Sequence, residues 1–249
     1  MKKHDVVLWL LFAVLLFIRC TVSITYWMVL ALISSGIAVI LLAKNKRPSK
    51  KYIIISSVLA IISTVAYLGY ERSPSVLLYG LTAGIPTLLS SLAVFSVMEK
   101  TGGYTLLSGK RRYSAIFSIM IAVSVGAFLS VVNILLSGDQ VQFNFSIWKL
   151  LLALNPAIFE EIVCRAVFMA YCVYFAHSKK MNAFSSFTMY FMMFVPHTVA
   201  HGYDFITTIV LAVLFGLPFT ILQRKLDIAS AMISHGIVDA VRFTLIGLS

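Results

Sequence analysis

Nine long apolar stretches constrain the fold of this 249-residue chain more than any other feature. They run approximately over 6–22, 24–43, 52–70, 75–98, 114–136, 148–176, 184–201, 205–223 and 228–246. A helix rises 1.5 Å per residue, so each stretch can cross a hydrocarbon core about 30 Å thick. We therefore predict an all-α, polytopic membrane bundle of about eight to nine transmembrane helices. Only residues 21–25 separate the first two stretches, which form either a tight hairpin or a re-entrant pair.

The composition excludes a water-soluble domain. Hydrophobic residues make up 60% of the chain and charged residues 12%, whereas soluble domains have about 25% charged residues.

Cys20, Cys164 and Cys172 show no C-x-x-C spacing, so neither a thiolate metal site nor a disulfide framework is expected. The N-terminal Met-Lys-Lys precedes an apolar run without a small-x-small cleavage site, and we interpret this run as an uncleaved first span.

The distribution of basic residues predicts the topology. If the N-terminus is cytoplasmic, fifteen of the 20 Lys and Arg fall on cytoplasmic segments. These are Lys2, Lys3, Lys44, Lys46, Arg47, Lys50, Lys51, Lys100, Lys110, Arg111, Arg112, Lys179, Lys180, Arg224 and Lys225. The net charge of +11 is then a topology signal, so we expect the lipid bilayer as a partner and no nucleic acid. The basic loop 44–51 either determines topology alone or also contacts anionic lipid head groups.

Ionisable residues inside three of the spans indicate a functional site, because a charged group at bilayer depth is costly without a partner. In the sixth span, Glu161 and Arg165 lie four residues apart and can form an ion pair on one helix face. Glu160 points away from this pair. A carboxylate next to another carboxylate in a low dielectric holds its proton more tightly, which suits a general base working near neutral pH.

Histidines supply the remaining ionisable groups of these spans. In the ninth span, His235 and Asp239 lie one turn apart, so the carboxylate can accept the imidazole N–H and orient the ring. In the seventh span, His197 and His201 have the spacing that places two imidazoles on one metal ion. The three spans together predict one shared polar site.

These residues resemble the motifs of the intramembrane proteases that group the CAAX prenyl endopeptidases with bacterial bacteriocin-processing and self-immunity proteins. The resemblance covers roughly residues 115–246. The Glu-Glu-x-x-x-Arg motif is matched by 160–165, and the His-x-x-x-Asn/Asp motif by 235–239 in its aspartate version. The Phe-x-x-x-His motif is matched only in its histidine, because His197 stands at the phenylalanine position before His201. Either histidine can therefore enter the site, with His201 preferred by the motif and His197 by its depth in the membrane.

The resemblance implies an intramembrane endopeptidase. Glu160 would activate a water molecule, and His201 would bind that water or a metal ion. His235 and Asp239 would position the water or stabilise the oxyanion, while Glu161 and Arg165 would brace the helix. Zinc is one alternative, with His201, His235 and His197 as candidate ligands, and a metal-free water is the other. Residues 1–113 would form accessory helices and 114–249 the catalytic core.

The sequence is compatible with three functions. The leading one is cleavage of a membrane-associated peptide or protein precursor, of the bacteriocin or signalling-peptide type, in the plasma membrane of a bacterium. The second is a non-catalytic relative that acts on a membrane-protein partner as a scaffold, immunity protein or sensor regulator. The third, a proton-coupled transporter, is disfavoured because the sequence shows no repeated halves with paired broken helices.

Overall fold

A computed structural model describes residues 2–21, 26–108, 114–138, 140–176 and 180–247. These residues form nine continuous helices, named first to ninth below, and no strand occurs among them. The helices are Lys3–Thr21, Tyr26–Lys44, Lys50–Gly69, Val76–Thr101, Ala115–Ser137, 147–175, Ala183–Ala200, Phe205–Lys225 and Ile228–Leu245. Each helix lies within a few residues of one apolar stretch of the sequence, so the predicted all-α architecture is confirmed.

Three of the helices change geometry along their length. The third ends in the 3-10 turn Ala66–Gly69. The sixth comprises Ile147–Phe159, the π-helical segment Glu160–Ala166 and Val167–Phe175, and the eighth contains the π-helical segment Ala212–Gly216. A π-helical turn inside an α-helix is uncommon and often marks a functional site.

Seven of the nine helices are long and apolar enough to cross a membrane. The other two are the sixth helix, which carries Glu160, Glu161 and Arg165, and the seventh, which carries His197 and is followed directly by His201. Both helices are long enough to cross a membrane, but their polar side chains make them less apolar. The chain is a multi-pass membrane protein.

The connecting segments gather at two ends of the bundle. At one end, Ser185 Oγ donates to Asp5, Ser96 Oγ donates to the Lys46 carbonyl, and the Ile228 amide donates to Thr105. This basic end contains the described parts of the segments predicted to be cytoplasmic. At the opposite end, Arg19 donates to the Gly202 carbonyl at 3.0 Å and the Gln142 amide donates to Leu245.

Several sequence-based predictions fall outside the described residues. They are the turn at 22–25, the domain boundary at 113, and the basic residues Lys110, Arg111, Arg112 and Lys179. Among the described basic residues, Arg19, Arg72 and Lys149 lie towards the end opposite the basic end, where Arg72 lies 5.0 Å from the Trp148 ring.

The sixth helix lies at the centre of the bundle and positions the polar site. Every residue of its π-helical segment is buried, and the segment packs against the second, fourth, seventh and ninth helices. The ninth helix also packs closely on the fifth, where a Cβ on Gly126 would come within 2.9 Å of the Ser234 carbonyl oxygen. This packing brings the polar faces of the sixth, seventh and ninth helices together.

Candidate active site

The Glu-Glu-x-x-x-Arg sequence coincides with the π-helical segment of the sixth helix. In a π-helical turn the hydrogen bond runs from residue i to i+5, so the regular i to i+4 ladder is interrupted. Gln223 on the eighth helix donates through Nε2 to the backbone carbonyl of Glu161 at 2.9 Å. Gln223 is fully buried, and this contact ties the eighth helix to the carboxylate-bearing turn.

Glu161 and Arg165 form the predicted ion pair, between Glu161 Oε1 and Arg165 Nη1. Both side chains are almost entirely buried, with 0% and 1% exposure. Arg165 also donates through Nη2 to His197 Nδ1 at 2.9 Å. Because a buried charge is stable only when it is paired and hydrogen-bonded, Glu161 and Arg165 depend on one another. Arg165 therefore does more than brace its own helix, since it reaches a histidine of the seventh helix.

Glu160 faces two histidines from other helices. Its Oε2 is hydrogen-bonded to His197 Nε2, and the same oxygen lies 3.6 Å from His235 Nε2. The Glu160 residue is 9% exposed and His197 is 5% exposed, so the contact lies deep inside the protein. Arg165 on the same helix pairs with Glu161, and the partners of Glu160 come from the seventh and ninth helices.

His235 lies between two carboxylates. Its Nδ1 is 2.7 Å from Glu161 Oε1, and its Nε2 is 3.3 Å from Asp239 Oδ2. The Phe219 ring stacks on the imidazole with centroids 4.7 Å apart and an interplanar angle of 14°. The carboxylates and the aromatic ring hold the imidazole in one orientation. The Asp239 contact is the one that the four-residue spacing predicts, whereas the Glu161 contact was not anticipated.

His201 lies at the end of the seventh helix and is exposed, unlike His197. Its Nε2 is 3.4 Å from His197 Nε2. Trp27 of the second helix packs edge-on against both rings, and Tyr203 stacks on His201. His197 thus occupies the position next to Glu160, and His201 lies one turn further towards the end of the helix.

A cavity of about 100 Å³ adjoins these side chains. Six of the seven predicted site residues line it, and the seventh, Glu161, lies behind them. The six are Glu160, Arg165, His197, His201, His235 and Asp239. The cavity also borders Asn133 of the fifth helix and Arg242 of the ninth. The structure therefore brings all the predicted site residues together around one space.

Sequence reasoning missed four residues that shape this site: Trp27, Asn133, Phe219 and Gln223. Gln223 and Asn133 could have been suspected, because an amide within an apolar span needs a partner. Trp27 and Phe219 carry no comparable signal. Aromatic residues are frequent in membrane helices for packing alone, and their neighbours become visible only once the helices are placed.

Glu160, His197 and His201 form a group that could hold a metal ion, since their potential ligand atoms lie within 4.8 Å of one another. Two imidazoles and a carboxylate are a common set of zinc ligands. However, a guanidinium only donates, so His197 Nδ1 must accept from Arg165 and the neutral ring carries its proton on Nε2. A metal ligand needs a deprotonated nitrogen, and a ligating histidine normally donates its other N–H to an acceptor. As arranged, the group does not fit a metal ion.

His235, the remaining candidate ligand, is not a member of that group. Its two ring nitrogens face the carboxylates of Glu161 and Asp239. The Nδ1 contact is a hydrogen bond, whereas Nε2 approaches Asp239 Oδ2 at 3.3 Å and Glu160 Oε2 at 3.6 Å.

Comparison with known proteins supports the motif assignment. A family model described as type II CAAX prenyl endopeptidase Rce1-like matches residues 142–241. The matched segment begins just before the sixth helix, ends within the ninth, and contains all seven predicted site residues. No curated protein and no solved structure shows significant similarity to the chain.

Proposed function

We propose that this chain, a member of the CAAX prenyl endopeptidase family of intramembrane proteases, hydrolyses peptide bonds with a water molecule that Glu160 activates. The observation that carries this proposal is the arrangement of Glu160 between His197 and His235 at the edge of a cavity. One carboxylate oxygen is held by His197. The other oxygen of the same carboxylate can accept a proton from water, which is the function of a general base.

The hydrolytic step uses groups that are already in place. Water adds its oxygen to the carbonyl carbon of the substrate and gives one proton to Glu160. His235 lines the same cavity as Glu160, and we assign its Nε2–H, which it shares with Asp239, to stabilise the negative oxygen that forms on the carbonyl. Glu160 then returns the proton to the departing amine as the C–N bond breaks. Asp239 and Glu161 hold the imidazole in position.

Arg165 has a separate function in this scheme. Its hydrogen bond to His197 Nδ1 places the proton of the neutral imidazole on Nε2, facing Glu160. A hydrogen bond from this N–H keeps the Glu160 carboxylate oriented towards the cavity. No step requires a metal ion. The preference for His201 that the sequence motif indicates is replaced in this proposal by His197, with His201 at the approach to the cavity.

The substrate we propose is a membrane-associated peptide or protein precursor, such as the precursor of a bacteriocin or a signalling peptide. A cavity of about 100 Å³ has room for a few water molecules beside a scissile peptide group, which is what a hydrolytic site requires. The proposed location is the plasma membrane of a bacterium, where such precursors are processed.

The test is cleavage of candidate precursors by the purified protein in proteoliposomes, comparing wild type, Glu160→Gln and the matched control Glu71→Gln. Glu71 is exposed and distant in sequence from the site. Glu160→Gln should lower the rate by about 10²- to 10⁴-fold, the usual contribution of a general base, and Glu71→Gln should leave it unchanged. Undiminished cleavage by Glu160→Gln would contradict the proposal. A cellular phenotype that survives Glu160→Gln, without cleavage of any precursor, would instead support the non-catalytic scaffold or immunity function.

A further inference from the structure

A second concave site lies at the basic end of the bundle, between the loop after the second helix and the end of the fourth helix. It is a half-open cavity of about 680 Å³. Its walls are formed by Ala43, Lys44, Asn45, Lys46, Arg47, Ser96, Glu99 and Lys100. None of these residues lines the cavity next to Glu160, so the two sites are separate.

Positive charge dominates this basic cavity. Four of its side chains are cationic, namely Lys44, Lys46, Arg47 and Lys100, and Glu99 is the one acidic residue among the lining residues. The Glu99 carboxylate already accepts a hydrogen bond from the Ser49 amide at 2.8 Å. Like charges gathered in one concavity repel each other, and an anion bound between them removes that repulsion. The cavity is therefore electrostatically suited to an anionic ligand.

The backbone that carries these cations is held in place by other parts of the protein. Ser96 Oγ on the fourth helix donates to the Lys46 carbonyl at 2.7 Å. Asn45 Nδ2 donates to the Leu41 carbonyl at 2.7 Å, and Pro48 is buried. Together with the bond from Ser49 to Glu99, these contacts attach the loop on both sides of Lys46 and Arg47. The cavity is thus shaped before any ligand arrives, which lowers the ordering cost of binding.

The cavity lies where the helices leave the apolar part of the bundle. The second helix ends at Lys44 and the fourth at Thr101. Around this level Lys100 Nζ lies 4.9 Å from the Tyr174 ring centroid and Lys51 Nζ lies 5.4 Å from that of Tyr52. Tyrosine and lysine side chains are typical of the membrane–water interface, which is also the level of the lipid phosphates.

We infer that this basic cavity binds a phosphate group, presented by the head group of an anionic phospholipid. Arginine matches phosphate geometry with two parallel hydrogen bonds, and the lysines add point charges around it. A soluble phosphate has the same chemistry, and the test below distinguishes the two sources. The inference is independent of the proposed protease activity.

The experiment measures retained lipid by native mass spectrometry after purification from nanodiscs that contain equal amounts of phosphatidylglycerol and phosphatidylcholine. The cavity variant combines Lys46→Gln, Arg47→Gln and Lys100→Gln. The matched control combines Lys2→Gln, Lys3→Gln and Lys225→Gln, which removes the same charge at the same end but outside the cavity. Wild type and control should retain phosphatidylglycerol preferentially, and the cavity variant should lose this preference by about tenfold or more.

Equal retention by the cavity variant and the control would overturn the inference, because the attraction would then be a general effect of surface charge. Equal retention of both lipids by wild type would overturn it as well. If millimolar inorganic phosphate displaces the bound phosphatidylglycerol, the cavity is a phosphate site whose ligand is a soluble phosphate. That result would overturn the assignment to a lipid. Arg47→Lys, which keeps the charge and removes the bidentate geometry, gives an independent measurement if the triple variant does not fold.

Discussion

Two histidines one turn apart on the seventh helix occupy different environments. His197 is buried and contacts both Glu160 and Arg165, whereas His201 is exposed and touches His197 through its Nε2. Sequence spacing cannot separate them, since both follow the same helix face. Their environments differ because the sixth helix, with Glu160 and Arg165, packs against the deeper turn of the seventh.

Replacing either histidine by alanine should therefore have unequal effects. His197→Ala removes the hydrogen bond that orients Glu160 and leaves one Arg165 donor without its acceptor, so we expect cleavage to fall by about 10²-fold or more. His201→Ala should cause a clearly smaller loss. The measurement is the single-turnover rate of each variant in proteoliposomes, with thermal unfolding recorded as a control. A larger loss for His201→Ala would favour the histidine that the sequence motif indicates.

The orientation of His197 also predicts the response to chelators. With Nδ1 accepting from Arg165, the ring has no lone pair on Nε2 to offer a metal ion. Cleavage should therefore persist after prolonged treatment with a strong zinc chelator and dialysis. Metal content and activity are measured on the same sample. Loss of activity that returns on addition of zinc would show that Arg165 releases His197 and that the zinc alternative is correct.

At the scale of helices, the π-helical segment of the sixth helix sets the geometry of the carboxylates. The segment interrupts the regular hydrogen-bond ladder, and Gln223 from the eighth helix supplies a donor to the Glu161 carbonyl. A carbonyl oxygen has two lone pairs, and the Gln223 amide fills one of them inside the protein, so this side chain supports the turn. The eighth helix thus contributes to the site both through Gln223 and through Phe219, which stacks on His235.

Gln223→Met should destabilise this turn while preserving side-chain size. We expect a loss of about 1–3 kcal/mol in the free energy of unfolding, because the Glu161 carbonyl loses its donor inside the protein. The measurement is thermal unfolding in detergent, together with the cleavage rate. Gln142→Met, at an exposed loop position, is the matched control. Unchanged stability in Gln223→Met would mean that the carbonyl finds another donor.

The third and fourth helices make a close contact that depends on glycine. A Cβ at Gly80 would lie 2.3 Å from the Thr64 carbonyl oxygen, which belongs to the backbone and cannot move aside cheaply. Gly80→Ala should therefore destabilise the protein by about 1–3 kcal/mol, the usual cost of overpacking. Gly36→Ala meets nothing within 4 Å and should be neutral or slightly stabilising. Similar unfolding temperatures for the two variants would contradict this close contact.

At the scale of the whole molecule, the described parts of the connecting segments lie at two ends of the bundle. Those predicted to be cytoplasmic lie at the basic end. The positive-inside rule assigns that end to the cytoplasm. The prediction of a cytoplasmic N-terminus therefore depends on the charge pattern. That these segments lie at the same end of the bundle follows from the packing.

Cysteine labelling tests this orientation. Cys20 is exposed near the end opposite the basic end, whereas Cys164 and Cys172 are buried. A membrane-impermeant maleimide added to intact cells should label Cys20. In a Cys20→Ser background, Ser49→Cys at the basic end should be labelled only after the membrane is permeabilised, since Ser49 is exposed there. The reverse pattern would place the N-terminus outside.

Local sequence alone determined the nine helices, their approximate bounds, and the pairs Glu161–Arg165 and His235–Asp239. Helix length follows from runs of apolar residues, and a pair four residues apart meets on one face whatever surrounds it. The motifs also identified which three helices share a site. These features require no knowledge of how distant parts of the chain pack.

Tertiary structure decided the contacts between helices. The choice of His197 over His201 beside Glu160, the Glu161–His235 contact and the donor from Gln223 all depend on the relative placement and rotation of the sixth to ninth helices. The hydrogen bond from Arg165 to His197 Nδ1, which leaves the imidazole proton on Nε2, depends on the same placement of the helices. Periodicity says which face a residue occupies, but only packing shows which atom of another helix lies opposite it.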